Sequence, residues 1–387
     1  MSARHDVVVA GGGLVGAAIV LALQRQGFDA VLVERGPPPA AFDPGFDDLR
    51  VYAISPGSMD WLDQLGVWPL LPARHLSAYR QMQVWSQQAD APLVFDAADL
   101  HRSELGCIVG NSLLQSALWS QLDPSRLICG TGIAALTLDG QGAQIGLSDG
   151  RSLQASLLVA ADGGDSQLRA LAGIETVAWT YPQRAIVANV RTERPHAQTC
   201  WQRFLPTGPL ALLPLADGRC SIVWSTTDAE RLLALDDDRF AAELAVATQF
   251  RLGAITATTA RVSFPLRLSH AGDYVREGFA LAGDSAHTVH PLAGQGVNLG
   301  LADGRALVAT LVQARAAGRR IGSLRTLKAY ARARKADTLE MLAVTDGLYR
   351  AFDLELPGWT RLRDAGMAAV QRLQPLKTLL IRQAAGL

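Results

Sequence analysis

The chain of 387 residues is short of charge, of cysteine and of long apolar runs, and each shortage excludes something. Charged residues make up 19%, below the roughly 25% of an average soluble domain, and 36 Lys and Arg are balanced by 36 Asp and Glu. With a formal charge of zero there is no global field to gather nucleic acid. The four cysteines, Cys107, Cys129, Cys200 and Cys220, lie far apart and form no CxxC or Cys/His cluster. That pattern argues against a disulfide scaffold and a structural zinc site, and it suits a reducing, cytoplasmic compartment. No metal is expected. One uncharged stretch, 7–23, invites a signal-peptide or membrane reading, but Gly11, Gly12 and Gly13 split it into a β-branched piece and a helical piece. Strand, turn and helix are the better description.

A second apolar run at 30–33 closes on Glu34, so the first 35 residues read as a βαβ unit, which implies a parallel sheet. An amphipathic segment follows at 57–65, then a candidate hairpin at 82–86 and 93–96, a helix at 112–122 and apolar strands at 134–138 and 156–161. Between about 178 and 265 the texture changes to short strands parted by turn residues, at 185–190, 199–205, 210–215 and 220–226. Asp217-Gly218 sits between the last two as a hairpin signal. This segment reads as an antiparallel sheet inserted into a parallel α/β domain. From 299 onward the pattern is helical almost to the end.

Three motifs carry chemistry. In Gly11-x-Gly13-x-x-Gly16, one glycine permits a tight turn, one lets backbone approach a pyrophosphate and one lets helix and strand pack closely. The helix start offers free N–H groups to phosphate, and Glu34, about 20 residues on, is placed to accept hydrogen bonds from a ribose. The motif does not choose between NAD and FAD. The second motif, Ala160-Ala161-Asp162-Gly163-Gly164-Asp165-Ser166-Gln167-Leu168-Arg169, comes off an apolar strand; alone it reads as a turn followed by a helix N-cap as readily as a binding loop. In the third, a strand delivers Asp284, whose carboxylate suits a polyol, and a glycine-rich loop from His290 and Pro291 to Gly300 leads into a helix start that can face an anion.

Together these motifs resemble the class A flavoprotein aromatic hydroxylases, and within them the ubiquinone-biosynthesis hydroxylases of the UbiH type. The resemblance spans nearly the whole chain. It includes the segment 160–169, the run GDSAHTVHPLAGQGVNLG at 283–300, Arg50 to Ser55 with Leu65 to Trp68, and Gln202 to Pro209 with Leu213-Pro214-Leu215. Two departures are Gly110-Asn111, where relatives often carry Glu-Asn, and Gly164-Asp165 in place of something closer to Ala-Asn.

The resemblance implies an α/β fold: a Rossmann-like FAD-binding domain of the para-hydroxybenzoate hydroxylase type with an inserted antiparallel substrate sheet and C-terminal helices. The FAD-binding domain would comprise 1–75, 100–177 and 266–340, the substrate domain 76–99 and 178–265, and the helical tail 341–387. Gly11, Gly13, Gly16, Glu34 and Arg35 would hold the ADP half of FAD, with Arg50 adding charge near the phosphates. Asp162 and Gly163 would shape the adjoining loop, Asp284 would hold the ribityl and pyrophosphate region, and Gly294, Gln295, Gly296, Val297 and Asn298 would lie against the pyrimidine edge of the flavin. The implied reaction hydroxylates a polyprenylated phenol or benzoquinol in ubiquinone biosynthesis through a flavin C4a-hydroperoxide, using O2 and either NAD(P)H or a partner reductant. Because the flavin carries that chemistry, no side chain is assigned as catalytic; His290 and Pro291 are the candidates left, and His287 is read mainly as part of a structural turn.

Two alternatives stay open: hydroxylation of a small soluble aromatic acid, which would need an Arg or paired Tyr for the carboxylate, and a non-catalytic flavin-binding accessory role. Trp201, Trp224 and Phe204 read as core or as a substrate stack. The basic tail, with Arg361, Arg363, Arg372, Lys377 and Arg382 among leucines, fits an amphipathic helix packed on the flavin domain or peripheral contact with the inner membrane. Other ubiquinone-biosynthesis proteins are candidate partners.

Overall fold

The computed structural model describes residues 4–86, 92–289 and 296–353, with single positions between 370 and 386. The chain opens with β1 (Arg4–Ala10), α1 (Leu14–Arg25) and β2 (Ala30–Glu34), and β1 and β2 pair in parallel with Val7 opposite Ala30. Val7, Val8 and Val9 are fully buried, as expected of a strand covered on both faces. Gly27, in the left-handed region at φ +73°, ends the helix.

The next elements are β3 (Val51–Ile54), α2 (Pro56–Gln64), β4 (Ser77–Tyr79), β5 (Gln81–Ser86), β6 (Leu93–Asp96), β7 (Gly106–Gly110) and α3 (Asn111–Trp119). Strands β8 (Leu127–Cys129), β9 (Ile133–Asp139), β10 (Gly142–Leu147) and β11 (Ser152–Ala160) follow. After α4 (Gln167–Leu171) come β12 (Thr176–Thr192), β13 (Thr199–Leu205), β14 (Gly208–Pro214) and β15 (Cys220–Thr226). Then come α5 (Ala229–Ala234), α6 (Asp237–Ala247), β16 (Ile255–Thr258), β17 (Val262–Ala271), β18 (Val275–Arg276), β19 (Phe279–Leu281) and β20 (His287–Thr288), and the long helices α7 (Gly296–Ala316) and α8 (Leu324–Asp353).

Three sheets result. The first runs β18-β19-β11-β1-β2-β8, parallel from β19 to β8, with the β9–β10 hairpin on its β11 edge. The second runs β20-β17-β12-β15-β14-β13-β5-β6 and is largely antiparallel; β3, β7 and β4 form a small third sheet. The Asp217-Gly218 turn joins β14 to β15, with Gly218 at φ +84°.

Side-chain alternation divides the second sheet into two faces. Ile186, Ala188, Leu210, Leu212, Ile222 and Trp224 pack on Leu232, Phe240 and Leu244 of α5 and α6. Those two helices stand where the sequence reads only as strands; the Asp236 side chain caps α6 by accepting from the Arg239 N–H. Trp201 and Trp224 belong to this core, and Phe204 packs with Val84, so none of the three is a substrate stack.

The described tail positions touch both the flavin domain and the segment expected to cover it. Gln371 Oε1 accepts from the Val94 N–H at 3.0 Å, buried Lys377 pairs with Asp99 at 2.7 Å, and Ile381 packs on Ala97 and Leu105. These positions therefore lie along β6 and the chain that follows it as far as Leu105 of the flavin domain, and Gly386 lies beside Ser55, where a Cβ would be 3.6 Å from its Oγ. Among the described residues, no helix is long and apolar enough to cross a membrane.

Candidate active site

The glycine-rich turn between β1 and α1 is fixed by contacts that leave no room for side chains. Gly11 sits at φ +104°, and a Cβ there would lie 2.2 Å from the Ala161 carbonyl oxygen; one on Gly16 would lie 1.9 Å from the Gly11 oxygen. Gly13 is the contrast: its backbone is ordinary at φ −67°, and a Cβ would meet nothing within 4 Å. Together with Gly11 it lines a cleft, whereas Gly16 serves the packing of α1 on β1. From the other side, Trp119 Nε1 donates to the Gly12 carbonyl at 2.8 Å and Gln115 Nε2 donates to the same oxygen at 3.3 Å. The Glu34 carboxylate accepts from the N–H groups of Gly12 at 2.5 Å and Gly36 at 2.7 Å. Glu34 and exposed Arg35 both line the cleft.

Two more segments converge on it. Asp162 Oδ2 accepts from the Leu168 N–H at 3.3 Å, while its Oδ1 is buried without a partner. Gly163, at φ +90°, has open space where a Cβ would point. Asp284 enters from the turn after β19; burial pushes its carboxyl above the usual range, partly opposed by His287 and Arg50. Arg50 lies over the Tyr52 ring, and the Tyr52 hydroxyl, raised to about 12 by burial, donates to Asn111 Oδ1 at 3.1 Å.

Gly296 and Val297 line the same cleft. The Asn298 side chain does not: it is buried, its Oδ1 accepts from the Ser55 N–H at 2.9 Å and its Nδ2 donates to the Ala53 carbonyl at 2.8 Å. Its side chain thus ties the start of α7 to β3. His290, Pro291, Gly294 and Gln295 lie outside the described residues.

Beneath Asp284 is a buried network that sequence reasoning missed. Asp303 in α7 accepts from Arg334 of α8 at 2.7 Å and from the Gly283 N–H at 2.9 Å, and bonds His287 Nε2 at 2.6 Å. Burial would raise the Asp303 carboxyl, but the charges and hydrogen bonds of His287 and Arg334 outweigh it and hold it below the usual range. His287 is therefore a support for the turn carrying Asp284. The available signal was an acidic residue in the middle of an otherwise apolar helical run, LGLADGRAL.

The cleft, about 1000 Å³, continues under the second sheet. Its wall there is built from Met82, Val187, Cys200, Ala211, Leu213 and Val223, and Ile381 of the tail borders it. Among the described lining residues the cations are Arg35 and Arg50, both on the glycine-loop side. Arg203, next to wall residue Gln202, turns to the opposite face and donates to the Ala247 carbonyl at 2.5 Å. The loop bearing Arg50 is pinned to the sheet: Asp47 takes two hydrogen bonds from Arg219 at 2.9 Å and one from Asn189 at 2.8 Å. Neither this clamp nor Trp119 was visible in the motifs.

The open space at Gly13 and Gly163, the unpartnered Asp162 oxygen and the donors of the α1 N-terminus fit a dinucleotide with phosphates on backbone N–H groups. A cradle of that kind opening beneath an antiparallel sheet defines the architecture of the flavoprotein hydroxylases. The chain matches the model of the FAD binding domain family over residues 4–343. It is 38% identical over 99% of its length to the 3-demethoxyubiquinol 3-hydroxylase of Escherichia coli, covering 98% of that protein. It is 36% identical to the ubiquinone hydroxylase UbiL of Rhodospirillum rubrum, with 98% and 89% of the two chains covered. In structure it resembles p-nitrophenol 4-monooxygenase PnpA of Pseudomonas putida, with a TM-score of 0.77, 18% identity and 100% and 99% coverage. The chain belongs to the FAD-binding monooxygenases, in the family of the UbiH-type ubiquinone-biosynthesis hydroxylases.

Proposed function

We propose that the protein hydroxylates the aromatic ring of a polyprenylated phenol or benzoquinol in ubiquinone biosynthesis. The observation that carries this reading is the composition of the cleft: a polar, backbone-built end and an apolar end of sheet side chains with no cation among its described residues. A small aromatic acid would find no charged anchor on that wall, whereas a neutral lipophilic ring is at home there.

In this reading Gly11, Gly13 and the α1 N-terminus receive the pyrophosphate, Gly16 keeps that terminus close, and Glu34 and Arg35 flank the adenosine ribose. Arg50 adds charge near the phosphates, Asp162 and Gly163 shape the adjoining loop, and Asp284 takes the ribityl hydroxyls. Gly296 and Val297 border the ring system, with the α7 start offering partial positive charge to the reduced ring. When bound, FAD supplies O2 activation and oxygen transfer, and NAD(P)H is the external reductant. The protein's own task is to hold the substrate ring still and keep water out, which the apolar wall suits. In domain terms 1–75, 100–177 and 266–340 carry the cofactor, 76–99 and 178–265 cover it, and 341–387 is the tail. We place the protein in the cytoplasm, peripheral at the inner membrane through that tail and in contact with other enzymes of the route.

The test is the quinone profile of a strain lacking the gene. A prenylated precursor one ring hydroxyl short should accumulate and disappear on complementation; an unchanged profile would reject this substrate class.

A further inference from the structure

Where β13 to β15 form the wall of the cleft, it carries two polar side chains among its described residues, Gln202 on β13 and Ser221 on β15, between Cys200, Ala211, Leu213 and Val223. Both are buried, at 5% and 0% exposure. Ser221 Oγ has no hydrogen-bond partner, and the Gln202 amide makes no side-chain hydrogen bond among the described residues. A buried hydroxyl left unpaired is destabilising, and where a native fold keeps one, a water, an ion or a ligand usually completes it.

The sheet register shows what else reaches Ser221. It stands directly opposite Asn189 on β12, a separation of about 5 Å between Cβ atoms for such pairs. Asn189 is equally buried and its Nδ2 donates to Asp47, which fixes the amide and leaves Oδ1 unpartnered. A serine hydroxyl has one proton to give and two lone pairs to offer. In the ligand-free protein neither oxygen bonds the other; with a ring hydroxyl donating to Ser221 Oγ, the serine's own proton is free to turn to Asn189 Oδ1. Gln202 is opposite Ala211, and Leu213, two residues along β14, is opposite Ser221. The two polar positions are thus two strands and two residues apart, about 12 Å between Cα atoms, which leaves space for a substituted ring between their side chains.

We propose that Ser221, oriented by Asn189 and Asp47, accepts a hydrogen bond from a ring hydroxyl of the substrate, with Gln202 holding a second ring oxygen. The sheet then orients the ring as well as covering it. This inference rests on the reading of the substrate as a lipophilic phenol.

The test uses full-length, FAD-loaded protein and follows perturbation of the flavin spectrum by 2-decylphenol, its methyl ether and decylbenzene. The wild type should bind the phenol about tenfold more tightly than the ether, one hydrogen bond's worth of discrimination. Ser221→Ala should bind the two within about twofold, with decylbenzene affinity unchanged. Its ligand-free melting temperature should equal or exceed that of the wild type, because the Ser221 hydroxyl makes no hydrogen bond until a ligand is bound. Gln202→Leu should weaken binding of a methoxy-substituted 2-decylphenol more than of decylbenzene. A phenol preference that survives Ser221→Ala overturns the proposal, as does a lowered melting temperature in that variant, which would make the hydroxyl structural. Binding of all three probes without a phenol preference in the wild type removes this inference and leaves the lipophilic reading standing. Failure to bind any of them removes both.

Discussion

The two ends of the cleft are made of different material. At the glycine-loop end the walls are backbone: Gly11, Gly13 and Gly163 present peptide groups, and contacts from Ala161, Trp119 and Glu34 hold them in position. At the sheet end the walls are side chains on alternate positions of β12 to β15, with the intervening positions committed to the core under α5 and α6. A surface made of backbone fixes residue type: at Gly11 and Gly16 a Cβ would strike the fold itself, and at Gly13 it would take up the space a ligand needs. One made of side chains fixes only polarity and rough size, so it can change ligand without changing fold.

The sharpest way to test this contrast lies within the glycine loop. Gly16→Ala drives a methyl into the Gly11 carbonyl and should prevent the α1–β1 packing altogether, giving insoluble or unfolded protein by circular dichroism. Gly13→Ala meets only empty space and keeps an allowed backbone, so the ligand-free fold should melt as the wild type does. It should nonetheless retain at least about tenfold less flavin on gel filtration, because that methyl occupies ligand volume. If Gly13→Ala holds its flavin, the cradle is not where we place it.

Next in size is Asp303→Asn, which takes from the buried Arg334 guanidinium its buried carboxylate and leaves it only the solvent-exposed Asp337. The expected loss is about 3–5 kcal/mol in chemical denaturation. The pH dependence has a definite sign. Asp303 has a lowered pKa in the fold, so its contribution is fully present above the ordinary carboxyl value and is lost as pH falls below about 4 and through the folded value. The variant should therefore show a shallower acid limb than the wild type; parallel limbs would mean that other carboxylates govern acid unfolding.

The same contrast explains what could be read from the chain alone. The βαβ start, the glycine triplet and Glu34 were legible because turn geometry and phosphate approach dictate residue type at fixed spacing. The strands of the second sheet were legible from alternation, but their partners were not: nothing in 185–226 says that Asn189 will stand opposite Ser221. Helices α5 and α6 were lost because their apolar faces are short and interrupted by polar residues. The Asp303–Arg334 pair, 31 residues apart, and the Asp47–Arg219 clamp, 172 apart, depend on chain reversals that local patterns do not encode. The Asn298 side chain's reach from α7 back to Ala53 and Ser55 was hidden for the same reason.

The smallest expected effect concerns a link between the two regions. Asp165, in the turn that follows Gly163 and Gly164, makes a bidentate pair with Arg267 of β17, both contacts at 2.7 Å. The guanidinium lowers the Asp165 carboxyl and is raised in return, yet Asp165 is 81% exposed, so water and salt screen the pair. Geometry argues for a strong tie and exposure for a weak one, and exposure should decide, because two long side chains held in solvent gain little over their hydrated states. Asp165→Asn should melt with the wild type at 0.15 M salt and keep its flavin, separating only at low ionic strength. A clear loss of flavin at physiological salt would mean that the Asp162–Gly163 turn needs the sheet to hold it, and the two ends of the cleft would then have to be treated as one mechanical unit.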